Sequence, residues 1–128
     1  MNINTVISVG EFFDKITILK IKKEKIKDDN KLVNINYELA EMKKIEKRYK
    51  LENLNLSAYV KSLYEVNFEL WNIEDQIRLL EQSKNFGSEF IALARSVYIK
   101  NDLRAKIKKD INLKSGSSLI EEKSYQEY

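Results

Sequence analysis

An all-α helical bundle is the expectation for this chain, and three observations carry it. Apolar residues recur at spacings of three and four through most of the 128 residues, the signature of helices with one buried face. Helix breakers are almost absent, with no Pro and only 3 Gly. The few clusters of turn residues, Asp28-Asp29-Asn30, Asn85-Phe86-Gly87-Ser88 and Ser115-Gly116-Ser117-Ser118, divide the chain into segments of helix length,. A single domain suits this size.

Taken in order, residues 1–7 are short and β-branched, an edge strand or an extended lead-in. Ser8-Val9-Gly10-Glu11 has capping-box spacing, in which the Ser oxygen accepts from the third helical N–H and the Glu reaches back,. The first helix is expected over about residues 9–28. Asp28-Asp29-Asn30 turns the chain and offers a cap to a second helix, about 31–50, whose Leu32, Ile35, Leu39, Met42, Ile45 and Tyr49 share one face,. Glu52 to Leu56 reads as a connection, and Ser57 opens a third helix to about residue 82,. Ser88 is expected to cap a fourth, about 88–113, followed by a tail over 114–128 with Leu119, Ile120, Tyr125 and Tyr128,. Connections this short favour antiparallel neighbours. Heptads persist for only a few turns, so a globular bundle with a docked tail is expected in place of a long coiled coil.

Composition removes several function classes. With Cys and His both at zero, there is no zinc finger, thiol nucleophile, disulfide scaffold, haem ligand or His-containing triad,. Three glycines supply neither a Walker A loop nor a dinucleotide fingerprint,. No cofactor and no metal are expected. No stretch approaches the ~18 apolar residues of a membrane span, and residues 1–7 lack the parts of a signal peptide, so cytoplasmic residence without a membrane partner is expected. The net charge is 23 − 20 = +3. Lysines cluster between Lys15 and Lys27 and between Lys100 and Lys114, but no aromatic or polar reader motif accompanies them, so they read as solvated faces and not as a nucleic-acid footprint,.

Polar residues fall inside the apolar arcs of the third and fourth helices. At 100° per residue, Asn67, Glu74 and Arg78 lie within the arc set by Val60, Leu63, Leu70, Ile73 and Ile77,. Asn101 and Arg104 lie within the arc of Phe90, Leu93, Ala94, Val97, Ile107 and Ile111,. A hairpin turning near Asn85 sets Asn67 level with Asn101 and Arg104. Three readings stay open: a buried polar layer that fixes register, a pocket for an anionic ligand with Arg78 and Arg104 as donors, or faces turned to water. In the first helix, Ile18 and Ile21 form a second apolar face, of the kind that makes subunit contacts, and Gly10 allows close backbone approach,. Glu11 and Lys15 are spaced for an i,i+4 ion pair,. Glu11-x-x-Asp14 with Glu74-Asp75 invites comparison with helical nucleotide pyrophosphatases that hold Mg²⁺ between carboxylates,. In an up-and-down bundle, however, the two pairs stand roughly 18 Å apart along the axis.

Several segments resemble one family. They are Ser8-Val9-Gly10-Glu11 with Asp14-Lys15-Ile16-Thr17-Ile18-Leu19, and Asn34 with Glu38-Leu39. Val66-Asn67, Leu70-Trp71, Ile73-Glu74-Asp75 and Ile77-Arg78 belong to the pattern, as do Leu93-Ala94-Arg95, Val97-Tyr98, Asn101-Asp102, Arg104-Ala105 and Ile111-Asn112. Glu121-Glu122-Lys123-Ser124-Tyr125 with Tyr128 resembles its ending. Together these resemble a family of small helical proteins carried by bacteria near surface-polysaccharide genes and by some phages, with no assigned reaction. The resemblance covers essentially the whole chain and adds Arg95 and Asp102 to the candidate ligand-binding set of Asn67, Glu74, Arg78, Asn101 and Arg104. It implies little about activity; residues and resemblance together lead to the expectation of a non-catalytic binding or assembly module, homo-oligomeric, serving surface-polysaccharide enzymes or a phage counterpart. The alternative is a small enzyme or binder for a phosphorylated or nucleotide-linked sugar, and a Mg²⁺-dependent pyrophosphatase stands third.

Overall fold

The computed structural model describes residues 1–128 and is all helical, without strands. Four α-helices follow in order: α1 Val9–Lys25, α2 Asp29–Arg48, α3 Ser57–Gln82 and α4 Ser88–Ser115, with a 3₁₀ turn at Leu51–Leu54. Residues 1–7 form no helix or strand, since an all-helical chain offers them no strand to pair with,.

Helix ends follow local chemistry, with differences from the sequence expectation. Ser8 caps α1, its Oγ accepting from the Glu11 N–H at 3.0 Å. α1 stops at Lys25, because Ile26 turns extended and frees Asp28 to cap α2, accepting from the Lys31 N–H at 3.1 Å. Ser88 does not cap α4. Gly87 holds that position without a side-chain bond, because the turn is organised by Asn85, whose Oδ1 accepts from the Gly87 N–H at 3.2 Å. α4 runs on to Ser115 and ends in a Schellman motif: Gly116 adopts φ 70°, and the Ser117 N–H reaches the Asn112 carbonyl at 2.9 Å,.

α1 is the centre of the packing. It lies against α2, α3 and α4, while α2 packs on α1 and the 3₁₀ turn. The larger core joins Phe12, Phe13 and Ile16 of α1 to Leu51, Leu56, Leu63, Val66, Ile107 and Ile111. A smaller one joins Leu19 to Ile35 and Leu39 of α2. α1 runs antiparallel to α4, Gly10 meeting Asn112 and Asp14 meeting Arg104. It crosses α3 steeply. Asp14 meets α3 at Asn67, and Glu24, about 15 Å further along α1, meets it at Tyr64, less than one turn away.

The helices differ in length, and this decides where the core ends. α1 has 17 residues, whereas α3 has 26 and α4 has 28. The α3–α4 hairpin therefore runs on beyond its third helix. Of the 20 buried residues in the chain, none lies between Phe68 and Lys106.

Candidate functional site

Asp14 is the hub of the interior. It sits on the face of α1 that turns to both α3 and α4, 1% exposed. Arg104 of α4 grips it with two bonds, Nε to Oδ1 at 2.9 Å and Nη2 to Oδ2. Asn67 of α3 donates from Nδ2 to the same Oδ1 at 2.9 Å and to Thr17 Oγ1 at 3.0 Å, and the Thr17 hydroxyl donates to the Asp14 carbonyl at 2.8 Å. One turn along α4, Lys108 lies 2.7 Å from Glu11, 3.1 Å from Glu121 of the tail and 3.7 Å from Asp14. No buried side-chain polar atom lacks a partner. A half-satisfied charge network would be worse than an apolar core, and this one is complete.

The electrostatics follow. Burial alone would raise the Asp14 carboxyl, but hydrogen bonds from Arg104 and Asn67 and the charges of Arg104 and Lys108 outweigh it and hold the pKa below its ordinary 3.8,. Arg104 is raised, first by its hydrogen bond to Asp14. Burial acts to lower Lys108, and the bonds to Glu11 and Glu121 more than offset it, so its charge persists.

α1 and α4 approach closely because Gly10 has no side chain. A Cβ there would stand 2.5 Å from the Lys108 carbonyl oxygen and 2.8 Å from Asn112 Oδ1, which accepts the Gly10 N–H at 2.7 Å. The sequence expectation for Gly10 is met. That for Glu11 is not: its partner is Lys108 across the interface and not Lys15, since Lys108 is buried beside it and Lys15 points outward.

Beside the hub runs an open groove of about 470 Å³ between α1, α3 and α4. Five of the seven residues singled out from sequence border it: Asn67, Glu74, Arg78, Asn101 and Arg104, together with Ile18, Ile21, Leu70 and Trp71. Their environments differ. Asn67 is buried and Arg104 reaches inward, but Glu74 and Arg78 lie in solvent, paired at 3.2 Å with side chains 50% and 76% exposed. Of the three readings, faces turned to water fits these two, because α1 crosses α3 before their level and nothing else in the chain covers that stripe. Ile21 is buried within the chain, so the second apolar face of α1 is used internally.

Arg95 and Asp102 are not at the groove. Arg95 is exposed on α4. Asp102 faces the tail, accepting from the Tyr128 hydroxyl at 2.7 Å, and the Tyr128 ring meets Tyr98 edge-on at 5.2 Å. The carboxylates weighed for Mg²⁺ are engaged separately, Glu11 and Asp14 by Lys108 and Arg104, and Glu74 by Arg78. No three carboxylates converge to hold a metal ion. No helix is long and apolar enough to cross a membrane.

Sequence reasoning missed Asp14 as the hub, and Thr17, Lys108 and Asn112 with it. The signal available for the two on α1 was spacing: at 100° per residue Asp14 and Thr17 share the second apolar face of α1 with Ile18 and Ile21,.

Residues 3–128 match the model of a family of unknown function, DUF6165, and the chain belongs to that family. No curated protein and no solved structure matches it.

Proposed function

Starting from membership of that family, which brings no reaction with it, we propose that the chain is a non-catalytic assembly module that pairs with a second copy through the α3–α4 hairpin. One observation carries the reading: the lack of any buried residue from Phe68 to Lys106, although that stretch holds Trp71, Ile73, Ile77, Leu79, Phe86, Phe90, Ile91, Val97, Tyr98, Ile99 and Leu103. Helices depend on packing for most of their stability, and two helices alone bury little. Two hairpins laid face to face make a four-helix bundle with a self-complementary contact. Charge supports a second copy as the occupant. Residues 70–103 carry 5 acidic and 4 basic side chains, so like faces meet without net repulsion,. The cellular setting, cytoplasmic service to surface-polysaccharide enzymes or a phage counterpart, rests on the sequence resemblance alone.

The test is the double variant Leu79→Glu with Ile91→Glu, whose native side chains are 64% and 55% exposed in the single chain. Exposed positions usually tolerate change within about 0.5 kcal/mol. In the assembly reading the double variant halves the solution mass and stays folded. A dimer that persists, or a wild-type monomer, overturns the reading.

A second reading takes the groove as a site for a nucleotide-linked sugar, bound or acted upon. Convergence of five sequence-selected residues around it, with Trp71 as a stacking surface, favours this. It ranks second because Arg104 and Arg78 are already neutralised by Asp14 and Glu74, so an anionic ligand must compete with both carboxylates. A melting screen with UDP-glucose, with and without Mg²⁺, checks it. Ligand at one hundred times its Kd adds about 2.7 kcal/mol, and no shift rules the reading out.

A further inference from the structure

We infer that a second, smaller cavity is a phosphate site, in which the chain's own Glu121 occupies a Lys108 donor in this structure. The cavity, about 270 Å³, is bordered by Asn101, Arg104, Lys108 and Lys123 together with Glu11 and Glu121. Three cations meet there, one of them almost buried: the Lys108 side chain is 11% exposed. Their donors are not all committed. Arg104 gives Nε and Nη2 to Asp14, while Nη1 has only a long contact of 3.4 Å to Asn101. Lys108 gives one N–H to Glu11 at 2.7 Å and another to Glu121 at 3.1 Å.

Glu121 differs from the other carboxylates of this network. Asp14 and Glu11 are fixed on α1, but Glu121 belongs to the tail after α4, outside every helix. The side-chain bonds from the tail to the helices are two, Glu121 to Lys108 and Tyr128 to Asp102. Most of the tail is exposed, Tyr125 among its residues, while Ser117 and Ile120 are half-buried. A carboxylate on a tether is thus the anion that fills a pocket of cations. Remove it, and Lys108 regains a free donor in the cavity that Arg104 and Lys123 also border.

A tetrahedral phosphate offers more acceptor oxygens than a carboxylate and accepts from a guanidinium edge and ammonium groups together. A phosphate monoester or inorganic phosphate replaces Glu121, and the tail leaves α4. Each binding event opposes the internal competitor, so the apparent affinity of the wild type is reduced by the fraction of chains whose tail is open.

The experiment is calorimetric titration of inorganic phosphate and of glucose 1-phosphate, against chloride at matched ionic strength. Hydrogen exchange over residues 117–128 is followed in parallel. Glu121→Gln should bind phosphate about tenfold more tightly than wild type if the tail is docked nine-tenths of the time. Because residue 121 lies outside the helices, the variant keeps its fold. Lys123→Gln should weaken binding, and Lys100→Gln, whose partner is Glu69 away from the cavity, should leave it unchanged. Phosphate should speed exchange in the wild-type tail and add nothing in Glu121→Gln. Equal affinity of wild type and Glu121→Gln, no binding by Glu121→Gln, or tail exchange that ignores phosphate would each overturn the inference. Glucose 1-phosphate binding more tightly than inorganic phosphate assigns the site to an ester; equal binding assigns it to the phosphate group alone.

Discussion

Two arginines of the α3–α4 hairpin pair with carboxylates and do different work. Asp14 and Arg104 meet in the interior near the open end of α3 and α4, with Asn67 and Thr17 completing the shell. Glu74 and Arg78 meet in water further along, on one face of one helix. The difference is not in the arginines' places on their helices, since each falls within its own helix's apolar arc,. It lies in whether a third helix is present. Where α1 crosses, polar groups are buried and every buried polar side-chain atom has a partner; past the crossing no residue is buried, and apolar side chains such as Leu79, Phe86 and Ile91 stand exposed. A helix arc read from sequence marks a face that wants covering without saying what covers it.

Truncation should separate the two pairs most widely. Asp14→Ala leaves the Arg104 guanidinium without its partner and should cost about 3–5 kcal/mol. Glu74→Ala should cost no more than about 1 kcal/mol. Urea unfolding of both at one protein concentration checks the contrast, and similar costs would erase it.

The glycines give the next largest difference. Gly10→Ala forces a Cβ into backbone of α4, at 2.5 Å from the Lys108 carbonyl oxygen, and should destabilise by about 1–3 kcal/mol,. Gly87→Ala at the hairpin turn meets only Asn85 Oδ1, at 3.3 Å, and should cost less than about 1 kcal/mol,. Melting temperatures of the two variants are enough to compare them.

Acid provides a smaller, graded effect. The folded-state pKa of Asp14 is depressed below 3.8. Its contribution is therefore fully present above the unfolded value and is lost as pH falls through the folded one. Wild-type stability should decline below about pH 4, whereas Asp14→Asn should show a flatter profile from a lower starting point. Parallel curves would mean that another carboxylate controls the acid limb.

The fold was largely legible because helix periodicity, turn clusters and the absence of Pro all point the same way. Asn67, Asn101 and Arg104 were placed on one level by hairpin arithmetic, and they meet there. Glu74 and Arg78 were misplaced because the arithmetic assumes four parallel rods, and α1 crosses α3 instead. Asp14 was weighed as a Mg²⁺ ligand and not as a hub for a related reason: its role depends on Arg104, 90 residues away, and local spacing marks its face without naming such a partner. The cap at Ser88 failed because Asn85, three residues earlier, organises the turn first.

The central claim is that the far part of the hairpin is completed by a second copy, and sedimentation equilibrium of the wild-type chain tests it most directly. The account predicts a species of twice 15.1 kDa that dissociates on dilution through the micromolar range. A mass of 15.1 kDa at every concentration would contradict it.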